Sequence, residues 1–418
     1  MMFSSLATVL EGNPVLARRN RFARLVIGVR SGADAWSVRL GGDPIAVAAG
    51  APDEPDITFE ASPDVWAQFA AAVPAVGYQS LNGMMRVGHL KVTGNMLEFG
   101  RHLTLIEDVF AASRGPKPPM PQPAPVGKPR IEAVTGRYLH LDIDGRPHRV
   151  YFEEAGPADA PALLCLHTAG SDGRQYRAVL NDPVITAKWR VIAFDLPWHG
   201  KSSPPPGFES EIYRLTTRRY VDTVMAVARA LELERPVVMG CSIGGRAVLH
   251  LALEHGALFR AAIGLQSALY ADPGANPALR ELEIIHRPDV HGGDVAAAFV
   301  SCLIAPSSPA TDRAETLWHY SQGGPGVFMG DLVYYMADGD MRNLDLAPLA
   351  AQACPLYLLT GEYDLSATPE LTADLARKVN ARHFEGMKGM GHFPMSEAPE
   401  RFLGYLRPVL EAIGKDTA

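Results

Sequence analysis

The chain has 418 residues, of which 47% are hydrophobic and 20% are charged. This composition is typical of a soluble globular protein, and the length favours two domains. Lys and Arg total 39 against 46 Asp and Glu, which gives a net charge of −7. This mild acidity, without any run of basic residues, argues against nucleic acid as a partner.

No targeting or membrane segment is expected from the sequence. Residues 1–10 lack the positively charged start and the apolar stretch of a secretory signal. No segment approaches the roughly 18 apolar residues of a membrane span. The four cysteines show no metal-binding spacing, and Cys165 and Cys354 lie in apolar runs where we expect buried thiols. These features favour a cytoplasmic protein with no disulfide or zinc framework.

Residues 1–112 are predicted to form a small α+β domain. Short apolar runs predict strands at 24–29, 35–40, 45–47 and 56–60. A helix is predicted to begin at Ser62 as N-cap and Pro63 as first helical residue. Its apolar face would carry Val65, Trp66, Phe69 and Val73, and a last amphipathic helix would run from Met96 to Phe110.

The series from Asp56 to Phe110 resembles the sterol-carrier-protein-like lipid-binding domain. The resemblance rests on a strand, a Ser-Pro-Asp helix start, the pattern Gly-x-Leu-x-Val-x-Gly-Asn and a final helix. It implies a curved sheet with helices over an apolar tunnel. The alternative is a small domain that mediates contacts in a homodimer or packs over the neighbouring domain's site. His89 and His102 are isolated in the sequence, which favours structural roles for both.

Residues 113–130 form a proline-dense segment. Proline in this density cannot sustain a helix or a strand ladder, so we expect a semi-rigid polyproline II spacer. The segment therefore predicts the boundary between the N-terminal domain and a second domain at 131–418.

The second domain alternates strands with helices. A hairpin is predicted around the turn at Asp144-Gly145. Continuous apolar runs, the mark of buried parallel strands, follow at 162–166, 190–194, 237–239, 261–265 and 355–359. Helical segments separate them, so we expect an α/β fold with a mostly parallel sheet and helices on both faces. Sites in such folds collect at the carboxyl ends of the strands.

The strand at 237–239 leads directly into Gly240-Cys241-Ser242-Ile243-Gly244-Gly245, and a helical run follows. This is the strand–turn–helix context of a nucleophile elbow, in which a serine hydroxyl is held at the start of a helix. Glycine is needed at positions 240 and 244 because larger side chains would collide with neighbouring backbone. The alternative is a tight turn whose serine only caps the helix.

Five loops after predicted strands resemble those of the α/β-hydrolase family, over about residues 131–415. They read His167-Thr168-Ala169-Gly170-Ser171, Asp195-Leu196-Pro197-Trp198-His199-Gly200-Lys201-Ser202, the elbow at Ser242, Thr360-Gly361-Glu362-Tyr363-Asp364, and Gly389-Met390-Gly391-His392. Their order matches that of the family. The resemblance implies an α/β-hydrolase fold with a helical cap and a serine-dependent mechanism that uses no metal and no organic cofactor.

The resemblance also implies a role for each motif residue. Ser242 would be the nucleophile, His392 the general base, and Asp364 the acid that orients the histidine, with Glu362 a weaker alternative. The chain order Ser, Asp, His is that of the family. The backbone N–H groups of Ile243 and Ala169 would form the oxyanion hole.

Two positions depart from the family pattern. Thr168 replaces a glycine, and its hydroxyl would either join the oxyanion hole or narrow the entrance. Trp198 also stands where glycine is common, as a wall of the substrate pocket or as packing on a surface loop. His167 completes this expected pocket set, whereas Asp195 and His199 are expected to tie loops together.

An insertion at about 270–348, rich in Gly, Pro and aromatic residues, is expected to form the cap. With the hydrolase resemblance, the apolar cap and the lipid-binding resemblance of residues 1–112 indicate a hydrophobic ester as the small-molecule substrate, with an aromatic or long acyl chain. One alternative is a carbon–carbon bond hydrolase of the meta-cleavage type, which uses the same triad. Another is a lipid-binding carrier without catalysis. Cleavage of chlorinated alkanes or epoxides is disfavoured, because those relatives carry Asp where Ser242 stands.

Overall fold

The computed structural model describes residues 3, 6, 13–42, 45–114, 129–271, 284–351 and 353–415. The chain divides into two compact units: unit 1 comprises residues 1–120 and 272–302, and unit 2 comprises 121–271 and 303–418. Most of the predicted proline-rich linker, at 115–128, lies outside the described residues. So does the part of the predicted cap at 272–283.

The strands are numbered in chain order: β1 Leu25–Ser31, β2 Asp34–Leu40, β3 Ala46–Ala49, β4 Ile57–Ala61, β5 Lys91–Gly94, β6 Thr135–Ile143, β7 Arg146–Ala155, β8 Ala162–Leu166, β9 Arg190–Phe194, β10 Val237–Cys241, β11 Ala261–Leu265, β12 Leu356–Gly361 and β13 His383–Met387.

The α-helices are numbered in the same way: α1 Pro14–Asn20, α2 Pro63–Ala70, α3 Leu81–Arg86, α4 Met96–Arg101, α5 Leu103–Ala111, α6 Arg177–Leu180, α7 Pro183–Thr186, α8 Thr217–Ala230, α9 Ile243–His255, α10 Gly292–Val300, α11 Ala310–Ser321, α12 Val327–Val333, α13 Ala347–Ala350, α14 Pro369–Lys378, α15 Pro394–Glu397 and α16 Pro399–Lys415. A π-helical turn, Tyr334–Asp338, follows α12 directly. No helix among the described residues is long and apolar enough to cross a membrane.

Unit 1 contains a five-stranded sheet in the order β3-β2-β1-β4-β5. β1 and β4 are parallel, and the other neighbours are antiparallel. Aromatic rings form the core: Phe59 meets Phe110 at 5.3 Å between ring centroids, and Trp66 meets Phe110 at 6.2 Å. The α+β class predicted for this part of the chain is confirmed.

Two details of the predicted helices in unit 1 are wrong. Helix α2 begins as expected, with the Ser62 hydroxyl accepting the Val65 N–H, but it ends at Ala70. Val73 therefore lies beyond the helix and is 52% exposed instead of packing on its apolar face. The single helix expected over 96–110 is broken at His102, whose backbone (φ −109°, ψ 9°) ends α4 and begins α5.

Residues 284–302 belong to unit 1, although the sequence placed them in the cap. Helix α10 packs on α5. The Asn82 side-chain amide donates to the Phe299 carbonyl (3.2 Å), and the Gln79 amide donates to the Cys302 carbonyl (3.0 Å). The insertion after β11 thus supplies a helix to the N-terminal unit before the chain returns to unit 2 at residue 303.

Unit 2 contains an eight-stranded sheet in the order β13-β12-β11-β10-β8-β9-β7-β6. The strands from β13 to β9 pair in parallel, and β7 and β6 are antiparallel. Every residue of β8, β10, β11 and β12 is buried, as expected of parallel strands covered by helices. The predicted fold class is confirmed, and the motif loops follow the carboxyl ends of these strands.

Candidate active site

Ser242 lies in a strained turn between β10 and α9. Its backbone has φ 61° and ψ −112°, a conformation that side-chain-bearing residues rarely adopt. A Cβ atom on Gly240 would lie 2.3 Å from the Gly244 carbonyl oxygen, and one on Gly244 would lie 2.5 Å from that of Leu166. The serine side chain makes no capping hydrogen bond to the helix. The geometry is therefore that of an elbow, and it does not favour the alternative of a helix-capping serine.

Asp364 and His392 meet although they are 28 residues apart. His392 Nδ1 lies 2.8 Å from Asp364 Oδ2, and both side chains are almost fully buried. The other carboxylate oxygen of Asp364 accepts the backbone N–H groups of Ser366 and Ala367. With Nδ1 donating to Asp364, His392 keeps Nε2 as the basic nitrogen. Glu362 is bonded elsewhere, to the Gly389 N–H.

Gln266, a buried residue that sequence reasoning missed, joins the loops of Asp364 and His392. Its amide donates to the Gly391 carbonyl (2.6 Å), and its amide oxygen accepts the Gly361 N–H (2.9 Å). The residue follows β11 and has φ 51°. No motif in the sequence marks it, because both contacts depend on the order of strands in the sheet.

Two further side chains support the His392 loop. Glu397 is completely buried and accepts the Gly391 N–H. Burial raises the pKa of Glu397 to about 7, although backbone N–H groups, including that of Gly391, act to lower it. The Cys241 thiol donates to the His392 carbonyl at 3.2 Å, so the residue before Ser242 contacts the histidine loop directly.

The two expected oxyanion-hole donors come from different elements. Ile243 is the first residue of α9, so its N–H has no intrahelical acceptor. Among the hydrogen bonds of the described residues, the Ala169 N–H has no acceptor either. The next amide, Gly170 N–H, donates to the carboxylate of Asp331 on α12 (2.7 Å). The cap helix thereby fixes the loop that carries Ala169.

His167 and Thr168 are buried and bonded to protein groups. His167 Nδ1 donates to the Thr168 carbonyl, and Nε2 accepts the Leu196 N–H (3.1 Å). Burial, together with the nearby His199, lowers the pKa of His167 to about 4, so its ring is neutral. The Thr168 hydroxyl lies 2.5 Å from the Tyr320 hydroxyl. These bonds connect the loop to the adjacent loop and to the cap.

Trp198 packs against two aromatic rings of unit 2. It adopts φ 76°, which explains why glycine is favoured at this position. Its ring lies 5.2 Å from that of Tyr213 and 5.5 Å from that of Phe208. With Leu196 and Tyr213 it lines a small cavity, and the side chains of Ser242, Asp364 and His392 do not line this cavity. This placement favours the packing interpretation over a pocket wall beside Ser242.

His199 and Asp195 tie loops together, as predicted. His199 Nε2 lies 2.8 Å from Asp331, which also accepts the Tyr213 hydroxyl, and all three side chains are buried. Burial acts to lower the pKa of His199, but the Asp331 carboxylate, the Pro197 carbonyl and the Asp195 carboxylate together raise it. Asp195 accepts the N–H groups of Gly173 and Lys201. Sequence reasoning missed Asp331, because nothing around residue 331 resembles a motif.

Tyr335 brings the cap to Ser242. It lies in the π-helical turn after α12, and such turns occur frequently at functional sites. Its buried hydroxyl interacts with the Ser242 side chain and lies 3.4 Å from the Ser366 hydroxyl. Burial raises the pKa of Tyr335, so the phenol is protonated and can donate. The sequence had indicated only that the cap is rich in aromatic residues.

The fold and this constellation define a class of protein, the α/β hydrolases. A family model described as the alpha/beta hydrolase family matches residues 163–404, more than half of the chain. The chain belongs to this family. Among the described residues, no group of three or more His, Cys, Asp or Glu side chains is arranged to hold a metal ion.

Individual relatives are distant. The magnesium-chelatase 30 kDa subunit of Rhodobacter capsulatus is 26% identical over 276 residues, which is 62% of this chain and 89% of that protein. The 2-hydroxy-6-oxononadienedioate/2-hydroxy-6-oxononatrienedioate hydrolase of Escherichia coli K12 is 28% identical over 131 residues, 30% of this chain and 43% of that one. A thermophilic esterase from Thermogutta terrifontis has a similar fold, with a TM-score of 0.54 and 22% identity over 66% of this chain and 99% of that structure.

Proposed function

We propose that the protein is a serine hydrolase that cleaves a hydrophobic carboxylic ester through Ser242, His392 and Asp364. The observation that carries the proposal is the buried hydrogen bond between Asp364 and His392, on a loop that Cys241 ties to the strained turn of Ser242. Strain of this kind persists where the surrounding structure holds it, and it is frequent at catalytic residues.

The chemistry would proceed through an acyl-enzyme. His392 Nε2 takes the Ser242 proton as the hydroxyl oxygen attacks the ester carbonyl, and it then protonates the departing alcohol. Asp364 stabilises the imidazolium. Ile243 and Ala169 donate to the oxyanion, each contributing about 3 kcal/mol. A water molecule, activated by the same histidine, releases the acid.

The preference for an apolar substrate body is supported by three aromatic side chains beside the site. Tyr320 lies 5.4 Å from Phe393 and 6.1 Å from Phe328 between ring centroids, and Phe393 is packed on His392. Phe328 also contacts the oxyanion loop, since a Cβ atom on Gly170 would lie 2.8 Å from its ring. Rings in this position favour aromatic or long acyl chains.

The test is hydrolysis of p-nitrophenyl esters, from acetate to long acyl chains, combined with fluorophosphonate labelling. We expect wild-type turnover that rises with chain length, and loss of both turnover and labelling in Ser242→Ala. Ser210→Ala, at an exposed serine of unit 2, is the matched control and should behave as wild type. Absence of turnover and labelling in the wild type would overturn the proposal.

Two other functions are favoured by single observations. The E. coli relative is named as a hydrolase of a 2-hydroxy-6-oxo dienedioate, which favours carbon–carbon bond cleavage by the same residues. The R. capsulatus relative is named as a magnesium-chelatase subunit, which favours a role as a subunit of a larger enzyme instead of a hydrolase. Faster turnover of a ring-cleavage diketone than of any ester would select the first alternative. A wild-type protein that no fluorophosphonate labels would select the second.

A further inference from the structure

Arg246 is an arginine buried one helical turn after Ser242. Its relative exposure is 0%, and it belongs to the largest completely buried side chains of the described residues. Nε donates to the Ala268 carbonyl (2.5 Å) and one terminal nitrogen donates to the Gly339 carbonyl (2.7 Å). The position on α9 and the bonds to two separate loops hold the guanidinium in a fixed place.

The remaining terminal nitrogen of Arg246, Nη2, is buried and has no hydrogen-bond partner. No carboxylate of the described residues lies within 4.0 Å of the guanidinium. Asp340, whose charge acts on Arg246, is itself paired with Arg342 through both of its oxygens. A buried cation with an unused donor is costly, because burial removes the water that would otherwise solvate it.

Tyr335 connects this unused donor to the nucleophile. The Arg246 guanidinium lies over the Tyr335 ring at 5.3 Å from its centroid, and the Tyr335 hydroxyl interacts with the Ser242 side chain. Two hydrogen-bond donors are therefore close to each other: the phenol interacts with Ser242, and the guanidinium lies over the ring of that phenol. Guanidinium and phenol donors together suit a carboxylate, which accepts through two oxygens.

We propose that Arg246 and Tyr335 form a subsite for a carboxylate group of the substrate. This inference rests on the proposed function and narrows its substrate class to esters whose hydrophobic body also bears a carboxylate. The carboxylate supplies the acceptor that Arg246 Nη2 lacks, and the aromatic side chains of the cap cover the apolar part. The purely structural alternative is that Arg246 only ties together the loops at Ala268 and Gly339.

The test compares two esters of equal chain length, p-nitrophenyl hexanoate and mono-p-nitrophenyl adipate, which differ in a terminal methyl or carboxylate group. For wild type we expect kcat/KM for the adipate ester to exceed that for hexanoate at least tenfold. Arg246→Met should lower this ratio at least tenfold, and Tyr335→Phe at least threefold. Arg377→Met removes the same charge from a largely exposed position on α14 and should leave the ratio unchanged.

The ratio of the two kcat/KM values distinguishes carboxylate recognition from a structural role. If Arg246 were only structural, its substitution would reduce kcat/KM for both esters equally and leave their ratio as in wild type. If Arg246→Met does not fold, Arg246→Lys keeps the charge without the planar fork and should give an intermediate ratio. Binding of the two esters to Ser242→Ala offers a readout without turnover, and we expect at least tenfold tighter binding of the adipate ester.

The outcomes distinguish this inference from the proposed function. Serine-dependent turnover of both esters with a wild-type ratio of one or less would overturn the carboxylate subsite and leave the esterase intact. Absence of turnover and fluorophosphonate labelling would overturn the esterase, while binding to Ser242→Ala would still decide whether the subsite exists. Equal binding of the two esters there would overturn it.

Discussion

At the scale of single residues, the position of the candidate base depends on a buried carboxyl group. Glu397 lies five residues after His392 and accepts the backbone N–H of Gly391. Backbone N–H groups act to lower the pKa of this carboxyl group, but burial outweighs them and raises the pKa to about 7.

This shift predicts a pH-dependent stability. Because the folded protein binds the Glu397 proton more tightly than the unfolded chain does, this group's contribution to stability falls as the pH rises from about 4.3, the usual glutamate value, to 7. Glu397→Gln removes that contribution. We would measure the free energy of unfolding in urea at pH 5, 6 and 7. For wild type this free energy should fall with pH more steeply than for the variant, by up to about 1.4 kcal/mol per pH unit.

The control for this experiment is Glu370→Gln, which changes an exposed acid in the first turn of α14. In this variant the free energy of unfolding should fall with pH as steeply as in wild type. If the free energy of unfolding fell equally with pH in wild type and in Glu397→Gln, the raised pKa could not belong to Glu397.

The motif residues of the candidate site could be predicted from the sequence, whereas their supports could not. Ser242 and Asp364 follow predicted apolar strands within a few residues, His392 lies in a Gly-His motif, and each of these signals is local in the sequence. Gln266 and Tyr335 carry no local signal. Their contacts join segments about 30 to 125 residues apart, and only the packed sheet and cap bring them together.

At the scale of elements, the Asp331 carboxylate on helix α12 of the cap is hydrogen-bonded to two loops. Asp331 accepts the Gly170 N–H, the His199 ring and the Tyr213 hydroxyl, all at 2.7–2.8 Å. Gly170 follows the expected oxyanion donor Ala169. The position of the cap helix and the shape of the oxyanion loop are thus determined by the same side chain.

Asp331→Asn should weaken these hydrogen bonds between α12 and the two loops. The substitution removes the charge that pairs with His199 and replaces one acceptor oxygen by a donor, and breaking a buried ion pair costs about 3–5 kcal/mol. We expect a lower melting temperature and a kcat on p-nitrophenyl esters reduced at least tenfold. Asp345→Asn, at an exposed acid of the same part of unit 2, is the control. A variant with normal kcat would contradict the link between α12 and the oxyanion loop.

The positions of the elements could be predicted more easily than the unit to which each element belongs. Runs such as Ala162–Leu166 and Ala261–Leu265 are apolar throughout and match the observed strands residue for residue. Helix α10 is just as apolar, with six of its nine residues buried. Apolar periodicity indicates that a face is buried, but it carries no information on which unit buries it.

At the scale of the whole molecule, unit 1 is built from two separate stretches of the chain. Its folding therefore requires that residues 284–302 join the N-terminal segment after most of unit 2 has intervened in the sequence. The join is made by apolar packing of α10 on α5 and by the bond from the Asn82 amide to the Phe299 carbonyl.

This arrangement predicts that α10 unfolds together with the sheet of unit 1. Asn82→Ala removes the amide donor from the buried Phe299 carbonyl, which also accepts the Cys302 thiol (3.2 Å), and should cost about 1 kcal/mol. Hydrogen exchange of the full chain in low urea should then speed up in α10 and in β1–β4 alike, while β8 and β10–β12 keep their wild-type rates. Asn181→Ala, whose amide meets an exposed Glu132, is the control in unit 2. If α10 exchanged with β10 and β11 instead, its assignment to unit 1 would be wrong, and the insertion would fold as a continuous part of the cap.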